Sequence, residues 1–229
     1  MPSESEFYVG YLPMPSRLKK TIRGAVLSLG GVSVAVAAIL LAGQHPFAES
    51  RFEFQDYREF RGSFRAEPYP ALAIPGHGLP WLLVAPGKHG AGDLRKFDGH
   101  EVQLKGERII RGEDHMIELL PGTLRVGASA GPPPAAIDLG PVEMTGEIVD
   151  SKCYFGVMNP GSGKVHRDCA VRCISGGIPP AFLVSDASGR TVTLLLANWK
   201  RELLDHIAEP ITIRGRLMRS AGKLTLYVE

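Results

Sequence analysis

The sequence predicts a mainly β protein, with two small OB-like (oligonucleotide/oligosaccharide-binding) barrels in tandem after one N-terminal transmembrane helix. Three observations favour this fold class. A charge-free apolar run lies near the N-terminus, strand-like segments bounded by Gly, Pro and Asp turns follow it, and these segments recur in the same order in two halves. Short helices are expected in the second barrel.

The transmembrane anchor is predicted over residues 24–43, which contain no charged side chain. At a rise of ~1.5 Å per residue, this segment crosses the ~30 Å hydrocarbon core of a bilayer once. Four basic residues lie within residues 17–23, so the positive-inside rule predicts a cytoplasmic tail over residues 1–23. We therefore expect a single-pass protein of the bacterial cytoplasmic (inner) membrane, with its C-terminal domains in the periplasm. A cleaved signal peptide is the alternative, but residues 41–44 supply a poor cleavage site.

The exported part is predicted to consist of two OB-like domains, residues 44–127 and 143–229, joined by a Pro-rich linker over residues 128–142. Each half has a Gly-x-Pro sequence before its second strand. Each also has a glycine, Gly106 or Gly215, inside its third strand. Such a glycine is typical of the bend by which one strand contributes to both sides of a small barrel.

The two halves differ most between their first and second strands, where the second half carries a Cys/His insertion over residues 151–177. All three cysteines of the chain lie in this insertion. A helix is predicted from Lys164 to Ser175, ended by Gly176. The chemistry-bearing residues of the chain are therefore concentrated in one segment of one half.

The insertion carries four candidate metal ligands, Cys153, His166, Cys169 and Cys173. At ~100° per residue, the last three lie within one narrow arc of the predicted helix, and Cys153 precedes them at the end of a strand. Thiolate and imidazole groups bind soft and borderline ions, and Cys3His is a recognised zinc set. Met158 would add a thioether for Cu(I). The pattern predicts a zinc or a copper ion if the cluster binds metal.

Two other interpretations of the cysteines stay open. In an oxidising compartment, Cys153 can form a disulfide with Cys169 or Cys173. The pair Cys169–Cys173 is unsuited to a bond, because Cβ atoms four residues apart on a helix lie ~5–6 Å apart and a disulfide needs ~3.8 Å. A thiol–disulfide redox role, with cysteines that cycle between two states, is the third interpretation.

Composition and motifs exclude several classes of function. The formal charge of +2 arises from 26 basic and 24 acidic residues, so we expect no nucleic-acid partner. The sequence contains no Gly-rich phosphate loop, no Ser/His/Asp ordering and no carboxylate pair at a recognisable spacing. We therefore assign no catalytic residues and expect the protein not to be an enzyme.

Two blocks of the sequence carry a resemblance to known proteins. Residues 150–156 (Asp-Ser-Lys-Cys-Tyr-Phe-Gly) and 166–180 (His-Arg-Asp-Cys-Ala-Val-Arg-Cys-Ile-Ser-Gly-Gly-Ile-Pro-Pro) are similar to those of bacterial membrane-anchored exported proteins with tandem OB-like domains and a Cys/His insertion. The layout is also similar to that of the periplasmic haem chaperones of cytochrome c maturation. Those chaperones carry a haem-binding histidine in a C-terminal flexible segment, whereas a strand is predicted here up to Glu229.

The function that these features favour is that of a non-catalytic accessory protein. We expect residues 24–43 to hold it in the lipid bilayer, and the Cys/His insertion to dock onto, or help assemble, a membrane or periplasmic redox complex. The insertion would be stapled by a disulfide or would bind a metal ion. The alternative is a thiol–disulfide redox or metal-carrier protein that uses Cys153, His166, Cys169 and Cys173.

Overall fold

The computed structural model describes residues 14–43 and 49–229. Contacts within the chain divide it into two compact units, Met1–Pro46 and Phe47–Glu229. Part of the predicted cytoplasmic tail, residues 1–13, lies outside the described residues, as does the start of the first predicted domain, residues 44–48.

The first unit contains one long helix, α1, over Ser16–Ala42. It begins after Pro15 and ends at Gly43, so it includes the basic residues that precede the apolar run. Within the described residues, no side chain of α1 is buried. It is the one described helix that is long and apolar enough to cross a membrane, a property that N-terminal signal sequences share.

The second unit is mainly β, and its first half contains seven strands. β5 is by far the longest of these, and a short 3₁₀ helix, Arg95–Phe97, precedes it. The strands are β1 (Ser50–Phe52), β2 (Arg58–Arg65), β3 (Ala71–Ala73), β4 (Trp81–Val84), β5 (His100–Arg111), β6 (Asp114–Leu119) and β7 (Arg125–Ser129).

The second half contains five strands and the short helices. The strands are β8 (Ile137–Asp150), β9 (Pro180–Ser185), β10 (Thr191–Ala197), β11 (Pro210–Ser220) and β12 (Lys223–Val228). Between β8 and β9 lie a π-helical turn (Cys153–Val157), a 3₁₀ turn (Lys164–His166) and helix α2 (Arg167–Ser175); a further 3₁₀ helix, Arg201–His206, precedes β11. Strand β8 begins inside the predicted linker, because residues 137–142 pair with β11.

The strands of the second half form a closed barrel in the order β10-β12-β11-β8-β9. Only the pair β10–β12 is parallel. The prediction of a mainly β fold with a small barrel and short helices is therefore confirmed. In the first half, strand β2 pairs with β3 on one side and with β5 on the other. Strand β3 pairs with β4, β4 pairs in parallel with β6, and β6 pairs with β5. Strands β1 and β7 also pair with β5.

Two glycines permit close strand contacts at corresponding places in the two halves. Gly106 pairs with Leu119, and Gly215 pairs with Val228. A Cβ atom at Gly106 would lie 2.4 Å from the carbonyl oxygen of Glu118, and one at Gly215 would lie 2.2 Å from that of Tyr227. No real Cβ atom tolerates such a distance, so these long strands bend against their neighbours only because they carry glycine there.

The hydrophobic core between the halves is shared. One cluster of buried side chains contains Leu82 and Met116 from the first half together with Leu195 from the second. The insertion contributes Phe155, which is fully buried, and Cys173 to the same cluster. The segment that carries the candidate ligands is therefore part of the core that joins the two halves.

Candidate metal centre

The path of the chain into the insertion is fixed by Asp150, the last residue of β8. Its Oδ1 atom accepts a hydrogen bond of 2.8 Å from the backbone N–H of Cys153. An aspartate three residues before such an N–H acts as a helix N-cap, because it satisfies a donor that the first turn leaves free. The turn that begins at Cys153 is thereby held against the end of the barrel strand.

The same carboxylate also holds His166. The Nε2 atom of His166 lies 2.8 Å from Oδ2 of Asp150, and both side chains are buried. With Nε2–H as the donor, the lone pair of the imidazole is on Nδ1. A carboxylate that orients a histidine in this way is the usual outer partner of a histidine metal ligand.

The structure brings all four predicted ligand residues together. In each of two groups, the ligand atoms lie within 4.8 Å of one another. The first group comes from Cys153, His166 and Cys169, and the second from Asp150, Cys153 and Cys173. Cys153 belongs to both groups, so it connects the histidine to both cysteines of α2. Cys153 and Cys173 are buried, whereas Cys169 is half-buried at the open side of the cluster.

A thioether lies beside the half-buried thiol. The Sδ atom of Met158 is 3.9 Å from Sγ of Cys169. Met158 is itself exposed, at 43% of its full surface. The cluster can therefore offer three sulfur atoms and one nitrogen from its interior, and a further soft sulfur from its rim.

The two buried thiols affect each other's proton affinity. Interaction with the Cys153 thiol favours the Cys173 thiolate and lowers the pKa of Cys173 to about 7. The same interaction, together with burial and the Asp150 charge, raises the pKa of Cys153. A nucleophilic or metal-binding thiolate is thus available at neutral pH inside the cluster.

A lysine from the other half completes the site. The Nζ atom of Lys88 lies 2.7 Å from Sγ of Cys169 and 3.8 Å from Sγ of Cys173. Its hydrogen bond to Cys169 raises the pKa of Lys88, so the side chain carries a positive charge beside the sulfurs. This cation offsets the negative charge that a group of thiolates would accumulate.

Neither Asp150 nor Lys88 was among the residues predicted to form the site. Asp150 had a recognisable signal, because it stands at the capping position three residues before Cys153. Lys88 had none, since it lies in the other half of the chain and is brought to the cluster only by tertiary structure.

The predicted disulfide is not formed in the structure. Within residues 49–229, Cys153, Cys169 and Cys173 are all free thiols. The sulfur atoms of Cys153 and Cys173 lie within 4.8 Å of each other without a bond between them. Cys169 faces Lys88 and Met158 rather than a partner thiol at bonding distance.

A separate cluster of rings lies in the first half. Trp81 stacks on His115 with ring centroids 4.4 Å apart, and His77 contacts Trp81 edge-on at 4.7 Å. Burial lowers the pKa of His115, whose Nδ1 atom finds no hydrogen-bond partner among the described residues. The surroundings of this histidine therefore favour its neutral form.

Comparison with known proteins leaves the geometry of the centre as the guide to function. No protein-family model, no curated protein and no solved structure matches this chain.

Proposed function

We propose that this protein is a membrane-anchored, non-catalytic accessory protein whose exported part holds one zinc or copper ion. The observation that carries the proposal is that the ligand atoms of Cys153, His166 and Cys169 lie within 4.8 Å of one another, and that the sulfur of Cys173 lies within the same distance of that of Cys153. Asp150 stands behind the histidine. Three thiols and an imidazole are a ligand set for a soft or borderline ion.

The charges around the cluster favour a divalent cation over a monovalent one. Three thiolates with Zn²⁺ leave a net charge of −1, and with Cu⁺ a net charge of −2, and Lys88 supplies a compensating positive charge at the rim. Met158 beside Cys169 favours Cu⁺, because a thioether is a soft ligand. Zinc requires only the four cluster residues.

We also propose that both halves are OB-like barrels with a common origin. The succession β2, β3, β4, β6, β5 in the first half matches β8, β9, β10, β12, β11 in the second, including the parallel pair. The bend glycines Gly106 and Gly215 stand at matching points of these ladders. An experimental structure in which β5 and β6 fail to pair would contradict the first barrel.

The location proposed for the site is the periplasmic side of the cytoplasmic membrane. Helix α1 is long and apolar enough to cross the bilayer, and its basic residues precede the apolar run. A metal centre that is tethered to a membrane suits an accessory subunit of a redox complex. Reporter fusions at the two ends test the orientation: a periplasmic reporter should be active at the C-terminus and inactive at the N-terminus.

Metal binding is tested on the full chain in detergent, reduced and loaded separately with Zn²⁺ and Cu⁺. We expect about one ion per chain after removal of excess metal. His166→Asn and Cys173→Ser should each reduce retention strongly, whereas His206→Asn, at an exposed position outside the cluster, should retain the ion. A wild-type chain that keeps neither metal while folded contradicts the proposal.

Docking onto a redox complex has a separate test. Membranes of the source bacterium are solubilised mildly and separated by size with the tagged chain. We expect the chain to migrate with a complex that shows haem or flavin absorbance, and Lys88→Ala with Cys169→Ser to weaken this association. Migration of the chain alone, in membranes where the redox complexes stay intact, contradicts the docking role.

A thiol–disulfide carrier is the second candidate, because the sulfur atoms of Cys153 and Cys173 lie within 4.8 Å of each other and Cys173 has a lowered pKa. Such pairs exchange electrons at reduction potentials of about −270 mV and above, whereas structural disulfides lie below about −300 mV. We expect a catalytic role to show as a reversible Cys153–Cys173 disulfide in the upper range. A pair that stays reduced throughout that range excludes the carrier.

A further inference from the structure

The loop that carries Lys88 is fastened at both of its ends. On one side, the buried Lys152 donates from Nζ to the carbonyl oxygens of Ala85, at 3.0 Å, and Gly87, at 2.6 Å. On the other side, the N–H of Gly90 donates to the carbonyl oxygen of Gly176 at 3.0 Å. Lys88 therefore reaches Cys169 from a backbone that is fixed to the insertion itself.

Two glycines allow the Lys88 loop and the end of the insertion to approach each other closely. A Cβ atom at Gly176 would lie 1.9 Å from the carbonyl oxygen of Lys88, and one at Gly90 would lie 2.1 Å from that of Gly177. The two segments are in direct backbone contact, so the Cα atom of Lys88 is held beside the insertion, at a place from which its side chain reaches the sulfurs.

The contact between Lys88 and Cys169 is closer than a simple hydrogen bond requires. The nitrogen lies 2.7 Å from the sulfur. Hydrogen bonds from N–H to oxygen have a usual length of ~2.9–3.0 Å, and sulfur is the larger atom. We propose that Lys88 and Cys169 form a covalent N–O–S cross-link, in which one oxygen atom joins the amine nitrogen to the thiol sulfur.

The oxidant is dioxygen, and the reaction balances. One thiol, one amine and one O2 molecule give the S–O–N link and one water. The S–H bond and one N–H bond break, the O=O bond breaks, and S–O and O–N bonds form. Sulfur and nitrogen each lose two electrons, and the two oxygen atoms take up the four. Cys169 is half-buried and Lys88 is exposed, so dioxygen reaches the pair from solvent.

The cross-link would join the first half to the insertion through side chains, in addition to the backbone contacts. It would also remove Cys169 from the ligand set, so oxidation would release or exclude the metal ion; this consequence rests on the proposed metal centre. A strong thiol reductant should restore the free amine and thiol, with the bridging oxygen leaving as water. The pair would thus be a reversible redox switch.

The test is intact-mass spectrometry of the full chain in detergent, purified with and without exposure to air. We expect air to add about 14 Da, one oxygen gained and two hydrogens lost, and dithiothreitol to reverse the change. A disulfide would instead remove about 2 Da, and a sulfenic acid or a methionine sulfoxide would add about 16 Da. Trypsin should leave Lys88 uncut and yield one linked peptide pair that contains Lys88 and Cys169.

Matched variants decide the outcome. Lys88→Met and Cys169→Ser should each abolish the 14 Da addition, whereas Cys173→Ser keeps both linked residues and should retain it. Circular dichroism checks that each variant folds. Absence of the addition in the folded, air-exposed wild type, or its persistence in Lys88→Met, overturns the cross-link. Neither result depends on the metal content of the protein. The cross-link can therefore fail while the proposed metal centre stands, and the metal-binding experiment tests that centre separately.

Discussion

The carboxylate of Asp150 lies 2.8 Å from Nε2 of His166, in a position where neither side chain has access to solvent. The other oxygen of this carboxylate caps the turn at Cys153. One residue at the end of a barrel strand therefore sets the orientation of two candidate ligands that are thirteen positions apart in the sequence.

Substitution Asp150→Asn should lower the affinity of the centre for Zn²⁺ about 10- to 100-fold. Asparagine has a single acceptor oxygen, which the backbone N–H of Cys153 requires, so its amide nitrogen faces His166 and donates to Nε2. His166 then carries its proton on Nδ1. That tautomer removes the lone pair from the ligand position. Competition with a chromophoric chelator measures the affinity.

The control for this substitution is Asp168→Asn, which makes the same change of charge at an exposed position in the first turn of α2. It should bind Zn²⁺ as tightly as the wild type. Equal affinity of Asp150→Asn and wild type, with both folded, would show that Asp150 does not support the histidine as a ligand.

Phe155→Ala should lower the free energy of unfolding by about 3–5 kcal/mol. The ring is fully buried in the core cluster that both halves share, so its removal leaves a cavity at the junction. Urea denaturation followed by circular dichroism measures the change. Val165→Ala, at a side chain that is 86% exposed, should change the value by less than about 0.5 kcal/mol. A comparable loss in both variants would contradict the role of Phe155 in the shared core.

Gly176→Ala should separate the Lys88 loop from α2, since a Cβ atom there would lie 1.9 Å from the carbonyl oxygen of Lys88. We expect Cys169 to react several-fold faster with an alkylating reagent, and stability to fall by about 1–3 kcal/mol. Gly78→Ala is the control, because a Cβ atom there meets no described atom within 4 Å. If the alkylation rate of Cys169 stays at its wild-type value, the loop does not shield this thiol.

His115 should titrate below its ordinary pKa of 6.5, because burial disfavours the charged ring and the neighbouring His77 acts in the same direction. The unfolded chain then binds more protons than the folded chain between the two pKa values, so stability is fully present above the ordinary value. It is lost as pH falls through the lowered pKa. Arg108 and Lys223 also lower the pKa of His115, whereas Asp114 opposes the shift.

Nuclear magnetic resonance of the imidazole protons gives the pKa of His115, and denaturation midpoints across the same pH range give the stability. His115→Gln should weaken the acid dependence of stability in that range. A titration midpoint at or above 6.5 would mean that burial does not control this ring.

Local pattern was enough to predict much of the fold. Alternating apolar residues such as Leu224 and Leu226 predicted strands, and the uncharged run predicted the long helix, since both signals depend only on neighbouring residues. The first and last residues of the strands were harder to predict. Strand β8 begins at Ile137, because pairing with β11 continues into a stretch whose prolines suggested a linker.

The candidate site was predictable only in the part that lies on one segment. Helical spacing indicated that His166, Cys169 and Cys173 lie close together, because that relation is local. The approach of Lys88 depends on how the two halves pack, and no periodicity in either half encodes it. The contact between Lys152 and the carbonyl of Gly87 is of the same kind.

Because the insertion supplies both the ligands and part of the shared core, ion binding and cohesion of the two halves should be thermodynamically linked. An ion that binds only the folded chain stabilises it by ~2.7 kcal/mol at a free concentration 100 times its dissociation constant. A chelator would then act at a distance from the sulfurs and loosen the junction around Phe155. The availability of metal would thereby set how rigidly the two halves of the β unit are held together.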